Sequence, residues 1–164
     1  MTDFDDLFSA NELFAANFEF SGLTGTAARG LAVVTCMDSR IDPLALLGLR
    51  PGDAKILRNA GARVTDDVLR TLVLAVYLMS VKRVLVMPHT DCGMTKVSDA
   101  DVHELTSRRG VDTRSIDFHT IPAQDEALRH DLVKIRTSPF LPPAMPVGGA
   151  LYDVRSGKLL AVDV

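Results

Sequence analysis

The chain reads as an α/β protein: a mainly parallel central sheet flanked by helices, with an antiparallel C-terminal hairpin strand and an N-terminal helical arm. Three observations predict this. Short β-branched runs alternate with stretches of helical period. Their order, strand, helix, strand, helix, strand, implies right-handed crossovers and parallel pairing. The C-terminal "GALYDVRSGKLLAVDV" holds two alternating runs around Ser156 and Gly157, the pattern of a hairpin.

The elements follow in order. Five of the seven phenylalanines lie in the first twenty residues, at 4, 8, 14, 18 and 20, and the pairs 4/8 and 14/18 are one helical turn apart. So apolar an arm either packs on its own domain or lies on a second subunit. A membrane-surface helix fits poorly, because Asp3, Asp5, Asp6, Glu12 and Glu19 would be repelled by anionic lipid. "LAVVT" (31–35) predicts a strand, and "IDPLALLGL" a helix with Asp42 as N-cap and Pro43 at its first position. "RPGD" (50–53) predicts a type II turn and "AKILRN" a second strand. "VTDDVLRTLVLAVYLM" predicts a helix capped by Thr65, with two aspartates in its first turn and apolar positions 68, 69, 72, 73 and 76 on one face. "KRVLVMPH" (82–89) predicts a third strand. Two further helices are expected over about 98–109 and about 123–136.

Composition bounds the function. A chain of 164 residues with 47% hydrophobic and 24% charged residues suits one globular domain, here expected to span 1–164 with an arm over 1–26 and a core over 27–164. A net charge of -3 supplies no basic field for nucleic acid. No apolar run approaches the roughly 20 residues that span a bilayer, and the acidic N-terminus does not resemble an export signal. A cytoplasmic location is expected.

The chemistry gathers around two cysteines. Cys36 follows the first predicted strand and Cys92 follows the third, so parallel pairing brings both to one sheet edge, where α/β folds collect ligands. In a reducing compartment such a pair points to metal binding or catalysis ahead of a disulfide. His89 lies three positions before Cys92. Two thiolates and an imidazole suit Zn²⁺, and three protein ligands leave a fourth position open, as in catalytic zinc sites. Zn²⁺ with that set is formally neutral. A nearby carboxylate must therefore either occupy the fourth position or be held away from it. Asp38 is that carboxylate, and Arg40 can grip it with a planar fork. Asp38 would then accept a hydrogen bond from the zinc-bound water and orient it.

The motifs "CMDSR" and "HTDCG", with "RNAG" (58–61) between them and "YDVRSGKL" near the end, resemble the beta class of carbonic anhydrases, over about Leu31 to Leu159. The resemblance implies zinc-dependent interconversion of CO₂ and bicarbonate by zinc-bound hydroxide. Cys36, His89 and Cys92 would be metal ligands, Asp38 and Arg40 the catalytic dyad, and Asp38 a fourth ligand in a closed state. Gly93 would offer a backbone N–H to the bound oxygen, and Asn59, Ala60 and Gly61 would wall the pocket. A homodimer or tetramer is implied, with the N-terminal helices on the partner. Carbonyl sulfide or carbon disulfide hydrolysis is the alternative on the same zinc site, and a non-catalytic zinc module a more distant one. His103, His119 and His130 are candidate proton shuttles, though each also suits an ordinary packing role. The chain has no tryptophan, so it departs from family members whose regulatory bicarbonate site uses one.

Overall fold

The structure is a computed structural model and describes residues 3–162. Five strands, β1 (Leu31–Cys36), β2 (Ala54–Asn59), β3 (Arg83–Met87), β4 (Val147–Tyr152) and β5 (Leu159–Val162), form one sheet in the order β2-β1-β3-β4-β5. The first four strands run parallel and β5 pairs antiparallel with β4. The order reverses at β1, whose sequence neighbour β2 lies on one side and β3 on the other. The crevice beyond the carboxyl ends of β1 and β3 is therefore the topological switch point.

Helices α1 (Asp5–Ala16), α2 (Pro43–Leu46), α3 (Asp66–Leu78), α4 (Asp99–Ser107) and α5 (Gln124–Arg136) complete the chain. Their starts are chemically marked. Asp42 accepts from the N–H groups of Leu44 and Ala45, Thr65 from that of Val68, and Ser98 forms a reciprocal capping box with Asp101. The helix expected through "IDPLALLGL" stops after one turn. Gly48 takes φ +62°, and the N–H groups of Gly48 and Leu49 turn back to the carbonyls of Ala45 and Leu44, a Schellman stop that strands the later leucines outside the helix.

Strand alternation divides the core into two layers. On one sheet face Ala32, Val34, Val84, Val86 and Val147 pack with Val68, Leu72 and Ala75 of α3 and Leu128, Leu132 and Ile135 of α5. On the other face Val33 and Met87 pack with Ile41, Ala62 and the two cysteines, with Leu46 alongside. The arm behaves differently. Helix α1 buries no residue, and Phe4, Phe8, Phe14 and Phe18 are all exposed. Phe14, Phe18 and Phe20 touch only one another as rings, with centroids 5.6 and 5.7 Å apart. Within the single chain, α1 buries none of its residues on the core.

One buried ion pair ties α5 to the loop between β2 and α3. Asp131 is buried, accepts from Arg63 Nε at 2.8 Å and Nη2 at 3.3 Å, and takes the Val64 N–H at 3.1 Å. Removing its carboxylate takes the acceptor from Arg63 Nε and Nη2 and from the Val64 amide, leaving the guanidinium only the His119 carbonyl at Nη1. Asp131→Ala is expected to lower stability by about 3 kcal/mol, read as a shift in urea midpoint at unchanged slope; a midpoint equal to wild type contradicts it.

Candidate metal centre

Cys36 is the last residue of β1, while His89 and Cys92 sit just beyond β3. The backbone around His89 is fixed from several sides. Tyr152 donates its N–H to Pro88 O and accepts from Thr90 N, both at 2.9 Å. Thr90 Oγ1 donates to Asp153 Oδ1 at 3.2 Å and accepts from Val154 N. Gln124, at the start of α5, donates Nε2 to the His89 carbonyl at 2.8 Å. The "YDVRSGKL" segment is thus a brace for the histidine.

The imidazole orientation follows from one contact. His89 Nδ1 lies 2.9 Å from the Thr90 carbonyl, which can only accept, so Nδ1 carries the proton and Nε2 presents a lone pair. Nε2 is buried and has no hydrogen-bond partner. The Cys36 and Cys92 sulfurs, both free thiols, are 4.0 Å apart, and the three donor atoms all lie within 4.8 Å of one another. An orphaned lone pair beside two sulfurs, its other nitrogen held by a carbonyl, is the arrangement of a metal-ligating histidine. The residues present fit a soft-to-borderline divalent cation.

The cluster's electrostatics agree. Burial pushes the Cys36 thiol up, but the neighbouring His89 imidazole and the N–H groups of Gly61 and Asp38 outweigh it and bring the thiol down to about 7. Burial also raises the Cys92 thiol, and the Cys36 sulfur beside it raises it further against the opposing Met94 N–H. Burial pulls the His89 imidazole down, but its contact with Cys36 wins and raises it. Without a cation, one sulfur ionises at the expense of the other.

Asp38 faces this cluster from the loop after β1, with Oδ2 3.7 Å from His89 Nε2. Arg40 grips it through Nε to Oδ1 at 2.9 Å, Nη2 to Oδ2 at 2.8 Å and its backbone N–H to Oδ1 at 2.9 Å. These bonds hold the Asp38 carboxyl far below the usual carboxylate range. The structure places Asp38 on Arg40. Arg58 fixes the same loop from β2, donating Nε to Cys36 O at 2.9 Å and Nη2 to Asp38 O at 2.6 Å.

The residues expected to wall the pocket divide by task. Asn59 closes its own loop, exchanging hydrogen bonds with the Arg63 backbone at 2.7 and 2.9 Å. Gly61 donates its N–H to Cys36 Sγ at 3.3 Å. It does so at φ +81°, where a Cβ would also stand 2.7 Å from Ile121 Cδ1. Ala60 opens the same short 3-10 turn, and Gly93 opens another directly after Cys92, with open space at its Cα. The candidate shuttles each have a polar neighbour. His103 Nδ1 bonds Thr113 Oγ1 at 2.9 Å and its ring packs on Phe118, His119 lies 3.2 Å from Asp117, and His130 lies 3.6 Å from Asp131.

Sequence reasoning missed Asp91. It accepts from Arg40 Nη1 at 2.9 Å through Oδ2 and from Lys96 Nζ through Oδ1, which hold its carboxyl at about 2, Lys96 the stronger influence. The available signal was its position between His89 and Cys92, with a lysine five residues on. Gln124 and Arg58 were legible only as polar residues at element ends, because their partners here are backbone carbonyls.

Comparison with known proteins agrees with this geometry. The family profile described as carbonic anhydrase matches residues 31–131. Beta-carbonic anhydrase 1 of Mycobacterium tuberculosis is 33% identical over 159 residues, covering 97% of both chains. A carbon disulfide hydrolase of an Acidianus species is 29% identical, covering 80% of this chain and 76% of its own. The crystal structure of a carbonic anhydrase from Streptococcus mutans superposes with a TM-score of 0.94 at 37% identity, covering 99% of each chain. By profile, sequence and fold together, the chain belongs to the beta-class carbonic anhydrase family.

Proposed function

We propose that this protein catalyses the reversible hydration of carbon dioxide to bicarbonate and a proton, with Zn²⁺ held by Cys36, His89 and Cys92. The observation that carries this reading is the orphaned His89 Nε2 between two sulfurs, with an Arg40-gripped carboxylate facing the cluster. A structural metal site has no use for such a carboxylate. When bound, the ion supplies Lewis acidity that makes water a usable nucleophile near neutral pH. Asp38 accepts a hydrogen bond from the attacking water and turns its lone pair toward carbon. Arg40 keeps Asp38 ionised and in place. The Gly93 N–H donates to an oxygen of the reacting species, and the Asn59–Ala60–Gly61 loop limits the space left for it.

Carbon disulfide or carbonyl sulfide hydrolysis is the second reading. The carbon disulfide hydrolase relative favours it, and both molecules are linear and apolar like CO₂. It ranks below hydration because the carbonic anhydrase relative covers more of this chain at higher identity.

The remaining readings concern setting and assembly. The two free cysteines suit a reducing compartment, so we place the protein in the cytoplasm. Among the described residues, no helix is long and apolar enough to cross a membrane. Residues 27–164 serve as one catalytic core with 1–26 as the arm. The partner for the arm is a second copy of the chain. The exposed phenylalanines of α1 lack a cover within one chain, and so do Leu74, Tyr77 and Leu78 on the outer side of α3.

Three outcomes are expected. Zinc-loaded protein hydrates CO₂ in a stopped-flow indicator assay and Asp38→Asn lowers kcat by about a hundredfold or more; equal rates overturn the assignment, and faster turnover of carbon disulfide than of CO₂ favours the second reading. Zinc must displace protons from its donors, so affinity falls as pH falls. The fall steepens below about 7, where the metal-free Cys36 regains its proton; competition titrations against a chelating dye would contradict this by showing no pH dependence. Light scattering is expected to report a dimer, and Phe8→Ser with Phe14→Ser to shift it toward the 17.8 kDa chain; an unchanged mass removes the arm from the interface.

A further inference from the structure

We propose that Asp91 is a positioning residue: it holds the Arg40 guanidinium, and through it Asp38, in the geometry that hydration uses. The argument starts from how Arg40 distributes its donors. Nε and Nη2 form the fork on Asp38, while Nη1 reaches Asp91 Oδ2 at 2.9 Å and Nη2 also reaches the Asp91 carbonyl at 3.1 Å. A guanidinium gripped by one carboxylate can still pivot about that fork. A second acceptor on Nη1 removes the pivot.

The two acceptors come from different parts of the chain. Asp38 lies on the loop after β1 and Asp91 between His89 and Cys92, so Arg40 ties the loop that follows Cys36 to the segment that carries His89 and Cys92. Asp91 is itself set for the task. Its backbone takes φ +56°, a conformation that a non-glycine residue keeps only where its surroundings favour it, and Lys96 holds its second oxygen. The Arg40–Asp91 pair is 44% and 38% exposed, so it adds little to stability and its consequence is orientation. That orientation matters because Asp38 Oδ2 is only 3.7 Å from His89 Nε2. A small swing would carry the carboxylate onto the donor cluster, where it would compete with water for the ion.

The inference rests on the hydration reading, and its test separates the two. Asp91→Gly and Asp91→Asn both tolerate the left-handed backbone, so the loop is expected to survive either change. Asp91→Gly is expected to lower kcat about tenfold with KM changed by less than about twofold, and Asp91→Asn to fall between it and wild type. The second readout needs no substrate. In cobalt-substituted protein, Asp91→Gly is expected to alter the visible absorption bands, which report the donors around the ion. The Asp38→Asn/Asp91→Gly spectrum is expected to match that of Asp38→Asn alone, because the effect travels through Asp38. Wild-type kcat with a wild-type spectrum in Asp91→Gly, or equal spectral shifts with and without Asp38, would overturn the proposal. A wild-type zinc protein inert toward CO₂ sinks the hydration reading instead, and the cobalt comparison still decides the role of Asp91.

Discussion

Parallel pairing of β1 with β3 is the constraint on which everything else depends. Its register sets Thr35 beside Met87, so Cys36 and the Pro88–His89 segment leave the sheet at the same edge. Residues more than fifty positions apart then share one small volume, and the sulfurs come within 4.0 Å of each other. The hydrophobic core enforces this. Val33 and Val34 are fully buried on opposite faces of β1, so a one-residue slip would turn each into the wrong layer.

Around that edge the protein builds rigidity from backbone acceptors as much as from ion pairs. Arg58 holds the Cys36 and Asp38 carbonyls, Gln124 holds the His89 carbonyl, and Asn59 closes the loop that delivers the Gly61 N–H to sulfur. Each of these fixes backbone near a donor atom through backbone groups and not through an ion pair. Charge is concentrated instead in the Asp38–Arg40–Asp91–Lys96 chain, which runs outward toward solvent. Bonds to backbone groups shape the cluster, and ion pairs govern the single carboxylate that faces it.

Much of this was legible in the sequence, and the limits have physical reasons. The β-branched run of β1, the Asp42 and Thr65 caps and the Ser156–Gly157 turn act over a few residues, so local pattern reveals them. The meeting of Cys36, His89 and Cys92 was legible because cysteine is scarce in this chain and both copies lie at or just beyond strand ends. The length of α2 was not, because its stop depends on Gly48 adopting a left-handed turn inside an apolar run. The task of Asp91 was not legible either: its partner lies 51 residues away, and nothing in a one-dimensional string indicates which arginine will arrive. The same holds for Asp131 and Arg63, separated by 68 positions.

The brace from Thr90 to Asp153 spans 63 residues and draws on a segment near the end of the chain. Contacts of such sequence separation form only after long loops have closed. During synthesis, Cys36, His89 and Cys92 all emerge well before the residues that fix the histidine. The segment that carries the histidine is therefore held in place only once distant parts of the chain have met, and its ordering follows the closure of the sheet instead of preceding it.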